Sequence, residues 1–315
     1  MKAHVEVGGT SVAPGTTAQI EIPVARLATH TMLHLPVMVV NGKRDGARLW
    51  LSAALHGDEL NGMEIIRRIL ERLNPGRLRG VVLAVPVVNV FGFINQSRYL
   101  PDRRDLNRSF PGTRRGSLAS RLAWLFMREI VDRSTHGIDL HTAAPPRVNL
   151  PQIRGDLDDP ETRRCAAAFA APLMLPGKPP GGSLRLAASK RGIPTLLYEA
   201  GEPLRFNADA IEIGVAGVLR VMAALDMIDG APRPKGATIE AARSTWVRAS
   251  QSGVVYLDVS LGQHVREKQR LARITDPFGN AAAEVYAPLS GVVIGHTSQP
   301  LVYRGDAVLH LAAVL

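Results

Sequence analysis

Up to about residue 230, short apolar runs alternate with stretches whose apolar residues recur at helical spacing. Residues 35–40 (Leu-Pro-Val-Met-Val-Val) and 48–55 (Arg-Leu-Trp-Leu-Ser-Ala-Ala-Leu) are nearly continuous apolar runs, as strands buried on both faces require. Residues 62–73 place Met63, Ile65, Ile66, Ile69, Leu70 and Leu73 on one helical stripe. The β-branched run at 81–90 predicts another strand, 118–131 a helix, and 137–140 a short strand. A helix over 161–169, a strand over 195–198 and a long helix over 208–227 complete the series. Strands alternating with helices predict an α/β domain whose largely parallel sheet is flanked by helices.

The segment Asp229-Gly230-Ala231-Pro232-Arg233-Pro234-Lys235-Gly236 breaks this rhythm and reads as a linker. It divides the chain into a domain at 1–230 and a second one at 237–315, which is Val/Gly-rich and carries no helical pattern. The second part repeats itself: Ser252-Gly253-Val254-Val255 opens one half and Ser290-Gly291-Val292-Val293 the next. Two similar all-β halves predict a small barrel of intertwined hairpins. The phrasing resembles the lipoyl/biotinyl-type domain, in which a carrier lysine sits at a hairpin tip. Here the tip reads Ile274-Thr275-Asp276-Pro277-Phe278-Gly279-Asn280, without lysine, so the expected role is structural or site-covering.

Composition narrows the functional class. The chain has 315 residues, 46% hydrophobic and 21% charged, which excludes disorder. No apolar run approaches the ~20 residues of a bilayer span, and the opening residues lack a signal-peptide core. A cytoplasmic protein without membrane association is expected. Cys165 is the single cysteine, which excludes an intramolecular disulfide or a thiolate-rich zinc site. The net charge of +10 comes from arginines scattered over separate segments, and aromatic residues make up only 5%. Nucleic-acid binding, which needs clustered charge interleaved with stacking rings, is not expected.

Candidate chemistry gathers where strands end, which is where ligands bind in parallel α/β sheets. After the strand at 48–55 come His56-Gly57-Asp58-Glu59; a His and a Glu three apart at such a turn can grip one ion, and Gly57 allows the turn to be tight. The strand at 137–140 ends in His141. Two imidazoles and one carboxylate form the donor set of hydrolytic zinc sites that leave a position for water. Asn107 and Arg108, in Asp105-Leu106-Asn107-Arg108-Ser109-Phe110-Pro111-Gly112, can clamp a carboxylate. Glu199 closes the strand at 195–198 and suits a general base, with Glu202 as its competitor beyond Gly201. Asp58 and Asp139 flank the donors and can each take an imidazole N–H. Cys165 reads as a small buried hydrophobe, the three tryptophans as packing residues, and His264, His296 and His310 show no metal spacing.

In this order, H-G-D-E, R-D-L-N-R-x-F-P-G, D-L-H-T and Y-E-A-G resemble the succinylglutamate desuccinylase/aspartoacylase family, from about residue 34 to 227. The resemblance implies a three-layer zinc-carboxypeptidase-like domain with a mixed, largely parallel sheet, followed by a β-rich domain. It implies one Zn2+ held by His56, Glu59 and His141, Glu199 as the catalytic carboxylate, Arg98 as an oxyanion stabiliser, and Asn107 with Arg108 on a substrate carboxylate. The expected activity is hydrolysis of the amide bond of a small N-acyl amino acid, by a chain that is compatible with a homo-oligomer. Two other readings stand beside it: a metallocarboxypeptidase acting on short peptides, and a non-catalytic metal-binding scaffold.

Overall fold

A computed structural model of the chain describes residues 2–27 and 29–314. The first part runs β1 (Val5–Val7), β2 (Thr10–Val12), β3 (Thr16–Arg26), β4 (Met32–Asn41), β5 (Arg44–Ala53), α1 (Asn61–Leu70), β6 (Arg79–Val85), α2 (Val90–Ile94) and α3 (Leu118–Glu129). It continues through β7 (His136–His141), β8 (Arg147–Gly155), α4 (Pro160–Phe169), β9 (Leu173–Pro176), α5 (Leu184–Ser189), β10 (Thr195–Gly201) and α6 (Ala208–Ala224). After a stretch without helix or strand come β11 (Ile239–Arg248), β12 (Gly253–Leu257), β13 (His264–Val265), β14 (Arg270–Thr275), β15 (Ala281–Tyr286), β16 (Gly291–Thr297), β17 (Leu301–Val302) and β18 (Ala307–Val314). Every element expected from the periodicity is present. The strand expected to reach Val90 ends at Val85, however, because Val90 already opens α2 beneath the Asn89 cap.

Twelve strands share one sheet in the order β13-β16-β18-β11-β9-β8-β10-β7-β5-β6-β4-β3. Its centre, β10-β7-β5-β6, is parallel throughout. The strands on either side are not: β8 runs antiparallel to β10, and β3 and β4 form an antiparallel pair that joins β6. The sheet is mixed, as the resemblance implies; its parallel pairings are those of the β10-β7-β5-β6 centre and of β8-β9-β11, with antiparallel pairings between and outside them. The connections explain it. A parallel return needs a crossover of about a dozen residues or more, and the short link 142–146 between β7 and β8 holds none. Helices α1, α4 and α6 bury Ile65, Ile66, Phe169, Val215 and Val218 against one face. Helices α3 and α5, with β1 and β2, bury Leu122, Phe126 and Leu184 against the other.

The C-terminal strands are stitched into this sheet rather than hung from it. β9 pairs with β11, β11 with β18, β18 with β16, and β16 returns to pair with β8. With the β8–β9 pairing, these strands close a ring around Leu173, Ala241, Val292, Ile294 and Ala312. A second sheet, β15-β14-β12-β17, covers the other side of β11, β16 and β18 over Leu271, Ile274, Val293, Leu309 and Leu311. The two repeats exchange strands: β13 pairs with β16 and β17 with β12. At the β14–β15 tip, Asp276 accepts from the backbone N–H of Phe278 and Asn280, which fixes a turn without a lysine. Among the described residues, no helix is long and apolar enough to cross a membrane.

Candidate active site

The ends of β5, β7 and β10 and the loop after β6 meet over one cavity of about 380 Å³. At the end of β5 the chain turns sharply, with Ala54 in the left-handed region at φ 46°. Gly57 permits a close approach here rather than only a tight turn: a Cβ on it would lie 1.9 Å from the backbone of Gly92. That approach presses the 56–59 turn against the loop after β6 and sinks His56 and Glu59 to the floor of the cavity.

His56, Glu59 and His141 are buried, and their donor atoms lie within 4.8 Å of one another. Glu59 Oε1 is 2.7 Å from His56 Nδ1, and Oε2 is 2.7 Å from His141 Nδ1. The outer nitrogens face carboxylates: His141 Nε2 lies 2.8 Å from Asp139 and His56 Nε2 3.2 Å from Asp105. Asp139 is itself fixed by the Ser52 hydroxyl at 2.7 Å. Burial pushes the Glu59 carboxyl upward, but the two imidazoles outweigh it and hold the group well below the usual carboxylate range. Burial likewise works against protonation of His141, yet Asp139 and Glu59 raise it well above an ordinary imidazole. Two imidazoles and a carboxylate, each imidazole braced from behind by an acid, suit a divalent cation such as zinc.

Glu199 stands beside His141 across the parallel β7–β10 pair and lines the same cavity. Its Oε2 accepts a 2.7 Å hydrogen bond from Asn149 Nδ2 on β8. Glu202, the competitor, lies outside this cavity near Arg205 at 3.4 Å. Arg98 lines the cavity and is held by Asp105 at 2.9 Å and Glu59 at 3.4 Å. Asn107 and Arg108 line it as well. Asn107 Oδ1 accepts from the Leu184 N–H at 2.9 Å, and Arg108 Nη1 donates to the Asn107 carbonyl at 2.7 Å. His56, Glu59, Arg98, Asn107, Arg108, His141 and Glu199 thus face one space.

Other residues of the site carry no local signal in the sequence. Asp105, rather than Asp58, braces His56; Asp58 is buried, its Oδ1 has no hydrogen-bond partner among the described residues, and burial together with Glu59 raises its carboxyl. Trp246 is more than packing, since it lines the cavity from β11, stacked on His310 at 4.0 Å and covered by Arg147 at 4.7 Å. Arg147, Arg154, Lys178 and Arg185 join Arg98 and Arg108 on the walls, against the acids Glu59, Asp139 and Glu199. Arg185 is only 8% exposed, and its Nη1, like Arg154 Nε, has no hydrogen-bond partner among the described residues. Burial and the neighbouring Arg154 lower the Arg185 guanidinium. No local motif announces these cations, because they come from separate elements.

A second trio, His136, Glu161 and Cys165, converges at the opposite end of β7. There Arg164 already takes Glu161 at 2.8 Å, and burial pushes the Cys165 thiol up to about 11. This is the setting of a surface ion pair beside a small buried hydrophobe, as expected for Cys165.

Comparison with known proteins places the chain in a family. The chain is similar to the N-alpha-acetyl-L-2,4-diaminobutyric acid deacetylase of Halomonas elongata, with 28% identity over 295 residues, covering 89% of this chain and 86% of the relative. A succinylglutamate desuccinylase/aspartoacylase from Rhodobacter sphaeroides superposes with a TM-score of 0.85 at 27% identity, covering 95% of each chain. The product-bound ectoine utilization protein EutE (DoeB) of Ruegeria pomeroyi shares the fold, with a TM-score of 0.85 at 21% identity over 94% of this chain and 95% of that one. Residues 45–225 match the succinylglutamate desuccinylase/aspartoacylase catalytic domain, and the chain belongs to that family.

Proposed function

We propose that this protein is a zinc-dependent deacylase that hydrolyses the amide bond of an N-acyl amino acid or a related small carboxylate. The observation that carries this reading is the meeting of the braced His56–Glu59–His141 group with Glu199 in one cation-lined cavity. The Halomonas relative, a deacetylase of an acetylated amino acid, makes acetyl the first acyl group to test. In this reading residues 1–230 carry the chemistry, and 237–315 serve as a wall of the cavity through Ser244 and Trp246.

His56, Glu59 and His141 would hold the zinc, which supplies Lewis acidity to the scissile carbonyl and to the attacking water. Glu199 accepts the proton of that water and returns it to the leaving amine. Arg98 stabilises the developing oxyanion, a contribution of ~3 kcal/mol for a well-placed donor. Asn107 and Arg108 orient the substrate through its carboxylate. The cation excess favours an acidic or neutral amino-acid side chain over the positively charged one of diaminobutyrate.

The test is metal content together with turnover of N-acetyl, N-succinyl and N-formyl amino acids and short peptides, before and after chelation. The reading expects about one zinc per chain and chelator-sensitive release of a free amino acid. Cleavage confined to peptides would shift it to a carboxypeptidase, inert protein that still holds zinc would leave a metal-binding scaffold, and metal-free inert protein would sink both the deacylase and that scaffold.

Arg185 gives a second prediction. A buried guanidinium nitrogen without a hydrogen-bond partner is a liability in the free protein. Arg185→Met is expected to melt no lower than the parent while KM for an acidic N-acyl substrate rises about ten- to a hundredfold, in line with ~1.5–3 kcal/mol for a hydrogen bond to a charged group. An unchanged KM would remove Arg185 from substrate recognition.

A further inference from the structure

The hydrogen bond from Asn149 to Glu199 has a second end in the C-terminal unit. Asn149 is buried on β8, in register with Gly201 of β10 on one side and Gly295 of β16 on the other. The β10–β8 ladder shifts register between Glu199 and Gly201, and although Glu199 keeps its regular register with His141 of β7, a backbone ladder leaves the carboxylate at the far end of the side chain to be constrained by other groups. The Asn149 amide supplies that constraint through Nδ2, at 2.7 Å. Its other end, Oδ1, faces Gly295, where a Cβ would come within 2.9 Å of it. A Cβ on β16 at this point would be too close to the Asn149 amide oxygen, and the simplest relief is a shift of that side-chain end.

We propose that Asn149 is a positioning residue for Glu199, and that Gly295 of the C-terminal unit sets the position of Asn149. This rests on the reading of Glu199 as the proton-transfer group of a deacylase. The catalytic carboxylate is then aimed by a relay that starts about a hundred residues further along the chain. Gly295 does not line the cavity, and a Cβ on it would meet Asn149 Oδ1 first, at 2.9 Å, ahead of the Val148 carbonyl at 3.3 Å and His310 Cβ at 3.5 Å. A small error in aim is costly, since misplacement by about 1 Å can lower a rate by about a hundredfold.

The experiment compares wild type, Asn149→Ala, Gly295→Ala and the double variant for kcat, KM, zinc content and melting temperature, on the best substrate of the acyl panel. Asn149→Ala is expected to lower kcat about ten- to a hundredfold, with KM and zinc content close to wild type. Gly295→Ala should lower kcat in the same way without a matching rise in KM. In the double variant Gly295→Ala should add nothing, because the side chain it displaces is already gone. Wild-type kcat in Asn149→Ala overturns the positioning role. Additive losses in the double variant overturn the relay, since Gly295 then acts by another route. A wild type inert on the whole panel overturns the deacylase reading itself, a result distinct from either of these.

Discussion

Glu199→Gln is expected to bind as much zinc as wild type while kcat falls by at least about a hundredfold, the usual scale for removing a general base. The separation follows from the geometry. Glu199 is not one of the three converging donors, and it reaches the cavity from β10, a different strand end. The amide oxygen of glutamine can still accept from Asn149 Nδ2, so the side chain stays in place but cannot take a proton. Zinc analysis and steady-state kinetics on one preparation decide the matter. Near-normal turnover would assign the proton transfer elsewhere, and loss of zinc would make Glu199 part of the metal site.

Glu59→Gln should cost the metal as well as the turnover. Its two oxygens serve His56 and His141 at once and also accept the Thr142 N–H at 3.1 Å. Removing the charge takes away the anionic member of the donor set. Zinc content is then expected to fall well below one per chain, with turnover falling in proportion. The metal-free protein should also be less stable, by about 1–3 kcal/mol, because a buried hydrogen-bonded network loses its centre. Zinc retention with full activity would place the metal elsewhere; zinc loss without loss of turnover would sink the metal-dependent mechanism.

These residues were legible in the sequence because each sits at the end of an apolar run, and strand ends over a parallel centre point to one place. The mixed sheet was less legible. The strand Thr16–Arg26 does alternate, with Ile20 and Ile22 buried between exposed neighbours, but period two alone does not say which strand it joins. β8 hides for a different reason. Its cavity-facing positions include Asn149 and Arg154, and buried Gln152 and an internal Pro151 interrupt the run further. A strand that builds a polar site loses the apolar pattern by which strands are found. Arg154 and Arg185 stay hidden too, since an arginine in a sequence reads as solvated surface until the fold shows it on the wall of a cavity, with a buried nitrogen that has no hydrogen-bond partner among the described residues.

The closed ring of β8, β9, β11, β18 and β16 bears on how such a protein diversifies. The family-matched stretch ends at residue 225, so two staves of the ring lie within it and three beyond. A recombinant gene joining the first 225 residues to a foreign C-terminal unit would leave β8 and β9 without matched neighbours, as exposed edges that invite aggregation. Descendants of this chain are therefore expected to acquire new substrates by substituting residues that face the cavity, while the two segments are inherited as one block.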